Sequence, residues 1–183
     1  MKAQKPLIQQ LTSKVVYKNP WITVKEDTVR WPSGKEGIYG YVEIPKTVGI
    51  VALDDEQNVF LCQQYRYIFQ QFNWEIPRGF VNQGETTLEA AKRELQEEAG
   101  VTVQDMEPLG FMWQSVGLIN EEAHLFLAHH IKAFQPKQVD SDEIKKVAKF
   151  PLEEVVEKIK ANEITDGLTV GAVLKAYEFL KSR

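Results

Sequence analysis

Three glutamates in the middle of the chain, Glu94, Glu97 and Glu98, have the spacing of residues that share one face of an α-helix. On an exposed helix, like charges three or four residues apart are destabilising by about 0.2–0.5 kcal/mol per pair. A hard divalent cation would make the crowding favourable, because carboxylate oxygens are ligands that Mg²⁺ and Mn²⁺ prefer. The alternative interpretation is an acidic helix face that is simply solvated.

Local signals around these glutamates predict the helix that must carry them. Thr86 followed by Glu89 forms a capping box, and Gly100 suits the position just after a helix. We therefore expect a helix over residues 87–99. Its apolar stripe is expected to contain Leu88, Ala91, Leu95 and Ala99.

The sequence around this helix resembles the signature of the Nudix hydrolases. Starting at Gly79 it reads Gly-x5-Glu-x7-Arg-Glu-Leu-x-Glu-Glu-x-Gly-Val, and every defined position of the signature is matched. The resemblance implies an α+β fold, the Nudix α/β/α sandwich, in which this segment holds divalent metal. It also implies hydrolysis of a nucleoside diphosphate linked to another group X.

The resemblance further implies roles for individual residues of the signature. Glu94 and Glu98 would be ligands of Mg²⁺, for which Mn²⁺ would substitute, and Glu97 would join them when more than one ion is bound. Glu85 would orient the site from the preceding loop. Arg93 would brace the carboxylates without binding the metal itself.

Two segments before the helix resemble the ADP-ribose and nucleotide-sugar branch of the family. Residues 64–66 (Gln-Tyr-Arg) resemble a motif whose arginine, here Arg66, holds a diphosphate oxygen; a surface ion pair is the alternative. Residues 74–79 (Trp-Glu-Ile-Pro-Arg-Gly) resemble the entry into the signature, with Arg78 in place of a small residue. The backbone carbonyl of Arg78 would be a metal ligand, and its side chain would add charge near phosphate or sugar. Glu75 would contact the sugar or a partner chain.

The loop of residues 115–122 resembles the Ser-Pro-Gly-x-x-x-Glu loop of ADP-ribose pyrophosphatases, with Val116 in place of the proline. By that register Glu121 is the expected catalytic base, and Glu122 is the reserve. A carboxylate near metal-activated water can accept the proton of that water.

Residues 12–44 read as antiparallel strands over 13–17, 22–31 and 37–44. They predict a small N-terminal β-subdomain, residues 1–44, ahead of a Nudix domain over 45–183. Similar sheets in the branch that this chain resembles pack across a homodimer and help form the base pocket. Trp21 and Tyr39 would then stack on the base; ordinary core or interface packing is the alternative for each ring.

The remaining elements follow from apolar runs and turn residues. We expect strands over residues 47–53, 59–67, 101–103, 108–114, 124–131 and 143–150, with a polar loop over 133–143. Two C-terminal helices are expected, one with Pro151 in its first turn and one capped by Asp166. Cys62 lies in an apolar run and is expected in the core.

Composition narrows the functional classes. The chain has 183 residues, 43% of them hydrophobic and 26% charged, which suits one globular domain or a core domain with a small appendage. The net charge of −4 argues against a nucleic-acid partner, and a single cysteine excludes an internal disulfide. No stretch is apolar enough to span a membrane, so we expect a cytoplasmic protein.

The expected function is Mg²⁺-dependent hydrolysis of the pyrophosphate bond of nucleoside diphosphate sugars such as ADP-ribose and GDP-mannose. The products would be a nucleoside monophosphate and a sugar phosphate. One alternative is a housekeeping hydrolase of nucleoside triphosphates or dinucleoside polyphosphates. An alternative of another class is a module that senses a nucleotide sugar without cleaving it.

Overall fold

The computed structural model describes residues 7–135 and 142–183 of the chain. Within them the chain forms ten strands and three helices. The strands are β1 (Gln9–Lys18), β2 (Thr23–Arg30), β3 (Glu36–Glu43), β4 (Thr47–Ala52), β5 (Asn58–Arg66), β6 (Gln71–Glu75), β7 (Arg78–Phe80), β8 (Val101–Met112), β9 (Ala123–Phe134) and β10 (Ile144–Pro151). The helices are α1 (Thr87–Ala99), α2 (Leu152–Lys160) and α3 (Gly167–Lys181).

These elements form two compact units. The first unit contains the described residues up to Pro45 together with Trp113–Glu121, and the second contains Lys46–Met112 and the described residues from Glu122 to Arg183. The segment Trp113–Glu121 joins the N-terminal part in space, which no local sequence signal indicates. The predicted division at residues 44 and 45 of the chain stays a prediction.

The first unit is built on an antiparallel sheet in the order β1-β2-β3. Each of the three predicted strands is present, and β1 is longer than predicted at both ends. The turn between β2 and β3 closes with a hydrogen bond from Trp31 N–H to the Lys35 carbonyl at 2.9 Å, and Gly34 supplies a φ of 83°. β3 is hydrogen-bonded to the segment 113–121, because Val42 N–H donates to the Leu118 carbonyl at 2.9 Å.

The second unit contains two sheets, in the orders β7-β4-β9-β8 and β10-β5-β6. β4 and β9 run parallel, whereas the other strand pairs are antiparallel. The predicted strands 101–103 and 108–114 are one strand, β8, because β9 pairs with it from Val101 to Met112. The pairing shifts register at Thr102/Val103 and at Pro108/Gly110, and the strand continues through both shifts. β6 and β7 were not predicted, and most of the predicted polar loop over 133–143 lies outside the described residues.

Helices cover both faces of these sheets, which confirms the predicted α/β/α sandwich. Alternate residues of β4 face opposite sides, as the pleat requires. Val48 and Ile50 lie in a buried cluster with Leu95 of α1. Val51 lies in a second cluster with residues of α2 and with Val173 of α3.

Two core predictions have different outcomes. Cys62 is fully buried, as predicted, and burial raises the pKa of its thiol. Leu88 was expected on the buried stripe of α1 but is 39% exposed, while Ala90 is fully buried in its place. Across the described residues, the longest helices are too short or too polar to traverse a lipid bilayer.

Candidate active site

The helix α1 begins and ends where the sequence predicts. The Thr86 side chain accepts a hydrogen bond from Glu89 N–H at 3.2 Å, and Glu89 accepts one from Thr86 N–H at 2.8 Å. This confirms the capping box. Gly100 ends the helix in the left-handed region, with a φ of 66°. These caps fix the ends of the helix, and its buried residues, among them Ala91 and Leu95, fix which face is left to the glutamates.

Glu98 is a largely buried carboxylate held by backbone. Its Oε2 accepts a hydrogen bond from the N–H of Arg78 at 2.8 Å. Burial raises the pKa of Glu98 to about 7, against the lowering effect of the Arg78 hydrogen bond. The nearby Glu94 charge raises this pKa further. Glu98 therefore holds its proton to a higher pH than an exposed glutamate does.

Glu94 lies against the backbone of the preceding loop. A Cβ on Gly79 would stand 2.1 Å from the Oε1 atom of Glu94, so only glycine leaves room for this carboxylate. Burial raises the pKa of Glu94, and the hydrogen bond from Arg93 at 2.6 Å opposes the rise. The first glycine of the signature therefore has a steric role at this site.

Arg93 donates hydrogen bonds to acceptors on both the helix α1 and the loop that precedes it. Its guanidinium donates to both carboxylate oxygens of Glu85, at 2.9 and 3.0 Å, and to Glu97 Oε2 at 3.1 Å. It also donates to the Phe80 carbonyl at 2.9 Å. The hydrogen bonds from Arg93 and from Asn82 N–H lower the pKa of Glu85. The arginine thus spans the loop and the helix with one planar group.

The donor chemistry of this site suits Mg²⁺. Glu94 and Glu98 offer hard oxygen donors, and Gly79 leaves the space that the Glu94 carboxylate occupies. In residues 7–135 and 142–183, however, no group of three or more His, Cys, Asp or Glu side chains converges as a ligand set. The side chain of Glu97 is 55% exposed and bonded to Arg93. Arg93 engages one oxygen of Glu94, Oε1, and one oxygen of Glu97, Oε2, and the predicted ligands stay predictions.

Arg66 and Glu75 form an ion pair across the hairpin of β5 and β6. Arg66 Nε donates to Glu75 Oε1 at 2.8 Å, and Arg66 Nη2 donates to Glu75 Oε2. Glu75 has no exposed surface. The ion pair is therefore more buried than the surface ion pair that Sequence analysis gives as the alternative for Arg66. Both residues line a cavity of about 330 Å³. The predicted contacts of Arg66 with phosphate and of Glu75 with sugar stay predictions.

The side chain of Arg78 turns to the start of α3. Its Nη1 donates to Asp166 Oδ1 at 3.1 Å, while Asp166 Oδ2 caps α3 by accepting from Thr169 N–H at 2.8 Å. The cap was predicted and is confirmed. The ion pair with Arg78 was not predicted, because 88 residues separate the two partners.

The two candidate bases have different surroundings. Glu121 belongs to the first unit and is 6% exposed. Glu122 belongs to the second unit, where its Oε1 accepts from Lys46 at 2.7 Å and lies 2.8 Å from His124 Nε2. Lys46 and then His124 lower the pKa of Glu122. The reserve candidate is thus already engaged in a salt-bridge network.

The predicted base-stacking residues are not brought together as a ring pair in the described part of the first unit. Tyr39 has its ring contact with Trp31, at 6.3 Å between centroids and an interplanar angle of 45°. Trp21 is 63% exposed, and its N–H donates to Asn19 Oδ1 at 2.9 Å. Tyr39 lines a cavity of about 370 Å³, and Trp21 does not.

Comparison with known proteins identifies similar chains. Residues 43–169 match the family model described as "NUDIX domain", and residues 8–42 match "Nucleoside diphosphate sugar hydrolase N-terminal domain". The chain is 27% identical over 164 residues to an "ADP-ribose pyrophosphatase" of Bacillus subtilis (strain 168), covering 89% of each protein. It is 30% identical over 182 residues to a "Methanol dehydrogenase activator" of Bacillus methanolicus, covering 97% of this chain and 98% of the relative. A crystal structure of an "ADP compounds hydrolase" superposes with a TM-score of 0.84 at 20% identity, covering 98% of each chain.

Proposed function

This chain belongs to the NUDIX domain family and is a hydrolase of that family, and from this premise we propose that it cleaves nucleoside diphosphate sugars with Mg²⁺. The pyrophosphate bond would be hydrolysed to a nucleoside monophosphate and a sugar phosphate, with ADP-ribose and GDP-mannose as substrate types. The N-terminal match to a nucleoside diphosphate sugar hydrolase domain supports this substrate class. Relatives named ADP-ribose pyrophosphatase in two bacteria support it as well.

The observation that carries the proposal is the pair of largely buried carboxylates, Glu94 and Glu98. Burial raises the pKa of both groups, so holding both ionised is unfavourable without a cation. Nudix hydrolases use a divalent metal, and Mg²⁺ suits these oxygen donors. When bound, the ion supplies charge neutralisation for the diphosphate and activation of water.

The chain's own residues would bind and orient the substrate around that centre. Glu75 holds the Arg66 guanidinium through Nε and Nη2, which leaves Nη1 outside this ion pair. We assign Nη1 to an oxygen of the diphosphate, which a rigidly held guanidinium would bind with little loss of entropy. Glu121 would accept the proton of the attacking water at its carboxylate.

The proposal includes a homodimer. On β1, Val15, Val16 and Tyr17 are 55%, 51% and 55% exposed, and a second copy would cover these apolar side chains. Light scattering after size exclusion measures the mass directly, and a monomer at micromolar concentration would contradict the dimer. A cytoplasmic location stays a prediction.

A substrate panel tests the activity. Purified protein with Mg²⁺ is incubated with ADP-ribose, ADP-glucose, GDP-mannose, UDP-glucose, a nucleoside triphosphate and a dinucleoside polyphosphate. Release of sugar phosphate is the expected result, with no turnover in EDTA or for the Glu94→Gln and Glu98→Gln variants. Preferred cleavage of the triphosphate or the dinucleoside polyphosphate would favour the alternative of a housekeeping hydrolase. Binding without turnover of any compound would favour the sensing module.

Similarity to the methanol dehydrogenase activator favours a second candidate, activation of a dehydrogenase, because identity of 30% extends over nearly the full length of both chains. The test is the rate of methanol oxidation by a bacterial methanol dehydrogenase with and without this chain. A rate increase with wild type that is lost with Glu98→Gln would support activation through the hydrolase site. A rate of methanol oxidation that stays unchanged over a wide range of concentrations of this protein would exclude the second candidate.

A further inference from the structure

A two-residue linker, Ile76 and Pro77, connects the two sheets of the second unit, since β6 belongs to one sheet and β7 to the other. Ile76 is fully buried and lies between the strands, so its N–H needs an acceptor from another part of the fold. The Pro77 carbonyl accepts a hydrogen bond from Ile50 N–H at 2.9 Å. Arg78 follows directly, so the path of this linker bears on where the backbone of Arg78 lies.

The first turn of α3 supplies the acceptor for the linker. Thr169 is fully buried, and its Oγ1 accepts a hydrogen bond from Ile76 N–H at 3.1 Å. The same hydroxyl donates to Asp166 Oδ2 at 2.7 Å. A hydroxyl has one hydrogen, so donating it to Asp166 leaves the lone pairs of Thr169 for Ile76. Loss of this hydroxyl would leave a buried N–H without its acceptor, which is costly.

Asp166 uses its two carboxylate oxygens for two different elements. Oδ2 caps α3 by accepting from Thr169 N–H at 2.8 Å, whereas Oδ1 accepts from Arg78 Nη1 at 3.1 Å. Capping needs one acceptor oxygen, which an asparagine would supply equally well. The second bond needs the carboxylate, because an asparagine would turn its amide N–H groups toward the arginine. The carboxylate of Asp166 therefore does more than cap the helix.

We propose that Asp166 and Thr169 are positioning residues, which hold the segment around Arg78 from two sides and thereby keep its backbone aligned with Glu98. Thr169 holds the linker before Arg78, and Asp166 holds the Arg78 side chain. Between these two contacts, Arg78 N–H donates to Glu98 Oε2 at 2.8 Å. The inference rests on the proposed function, because it gives α3 a part in presenting Glu98 to the cation.

Amide hydrogen exchange, measured by NMR on metal-free protein in EDTA, tests the alignment directly. In Asp166→Asn the Arg78 amide should exchange at least about tenfold faster than in wild type, because its acceptor is no longer held in line. The amides of α3 should keep wild-type protection, since asparagine still caps the helix. Equal exchange of the Arg78 amide in the two proteins would overturn the proposal. Loss of protection throughout α3 would reduce Asp166 to a structural role and overturn it as well.

Manganese affinity, measured by electron paramagnetic resonance, tests whether the alignment reaches the metal site. Asp166→Asn should weaken Mn²⁺ binding roughly tenfold, with a lower kcat and little change in KM. Thr169→Ser and Thr169→Val form a matched pair, because serine keeps the hydroxyl whereas valine keeps the shape without it. Thr169→Ser should retain the Mn²⁺ affinity of wild type, and folded Thr169→Val should lose affinity. Weaker binding in the serine variant alone would assign the effect to packing and contradict the proposal.

Glu163→Gln is the control for a charge change close to α3. Glu163 lies three residues before Asp166, and its side chain is 60% exposed and pairs with Lys158 at 3.2 Å. This variant should match wild type in Arg78 amide exchange, Mn²⁺ affinity and kcat. A loss equal to that of Asp166→Asn would show that the effect does not depend on the contact with Arg78.

The two proposals fail in distinguishable ways. Amide exchange in EDTA uses neither metal nor turnover, so its outcome holds even when the substrate panel shows no hydrolysis. Hydrolysis of nucleotide sugars, together with wild-type Mn²⁺ affinity in Asp166→Asn, would leave the proposed function intact and reject the positioning role of α3.

Discussion

The N–H of Arg78 lies 2.8 Å from Glu98 Oε2, so the first residue of β7 is hydrogen-bonded to the last turn of α1. The side chain of the same arginine pairs with Asp166 at the start of α3, at 3.1 Å. Three elements from distant parts of the chain therefore meet at one residue. Arg78 thus links β7 to α1 through its backbone and to α3 through its side chain.

The pKa of Glu98 has a consequence for stability. Burial raises this pKa from 4.5 to about 7 on folding, so the folded state binds the proton more tightly than the unfolded chain. The stabilisation is complete below about pH 4.5 and is lost as the pH rises through about 7. Glu98→Gln cannot ionise, yet it keeps an acceptor for Arg78 N–H. In EDTA we expect the variant to exceed wild type in free energy of unfolding at pH 8 by up to about 3 kcal/mol.

Urea denaturation in EDTA across this pH range measures that difference. The two proteins should have similar stability near pH 4, where the wild-type carboxyl is protonated. A difference that does not change with pH would contradict the raised pKa. Under the proposed role of Glu98 as a Mg²⁺ ligand, the advantage of the variant should shrink when Mg²⁺ is added.

Substitution of Gly79 by alanine should displace Glu94. The added Cβ would lie 2.1 Å from Glu94 Oε1, closer than atoms can approach, so the carboxylate must leave its position. We expect kcat and Mn²⁺ affinity to fall together, by roughly 10- to 100-fold. Manganese titration by electron paramagnetic resonance gives the affinity independently of turnover.

Gly167→Ala is the matched control for Gly79→Ala. No atom lies within 4 Å of a Cβ at this position, which opens α3. The control should retain full activity and gain slightly in helix propensity. Equal kcat in the two alanine variants would show that the close approach of Gly79 to Glu94 has no functional importance.

Replacement of Arg93 by lysine tests whether the planar guanidinium matters beyond its charge. One ammonium cannot reach both oxygens of Glu85, the Glu94 carboxylate and the Phe80 carbonyl together. We expect kcat to drop about 10- to 100-fold while circular dichroism stays native. Arg30→Lys, at an exposed pair with Glu36, should have wild-type kcat. Wild-type turnover from Arg93→Lys would reduce the role of Arg93 to charge alone.

Neutralising Glu121 and Glu122 separately discriminates between the two candidate bases. Glu121→Gln should lower kcat by about 10²- to 10⁴-fold with little change in KM, as loss of a general base does. Glu122→Gln should mainly weaken the contacts with Lys46 and His124 and change stability slightly. A larger kcat loss in Glu122→Gln would transfer the role of base to the reserve residue.

Local patterns predicted the elements whose signals lie within a few residues. The helix α1 follows from Thr86, Glu89 and Gly100, and the cap of α3 follows from Asp166. The α/β/α sandwich follows from the family signature around that helix.

Features that depend on distant pairing were not visible in the sequence. β7 has three residues and exists because it pairs with β4. β8 continues through polar residues such as Asp105, since β9 supplies a partner along its length. The Arg66–Glu75 and Arg78–Asp166 pairs likewise depend on which strands and helices become neighbours. Only the folded structure shows that Asp27 Oδ1 is buried with no hydrogen-bond partner among the described residues.

The parallel pairing of β4 with β9 has a consequence for synthesis. Thr47 pairs with Ala123, so β4 leaves the ribosome long before its central neighbour exists. At 5–20 residues per second, translation of the intervening segment takes about 4 to 15 seconds. Throughout that delay an apolar strand edge is exposed to nascent-chain chaperones and to other unfinished chains. Codon choice between the two strands, which leaves every amino acid unchanged, thereby sets how long each new molecule is vulnerable to aggregation.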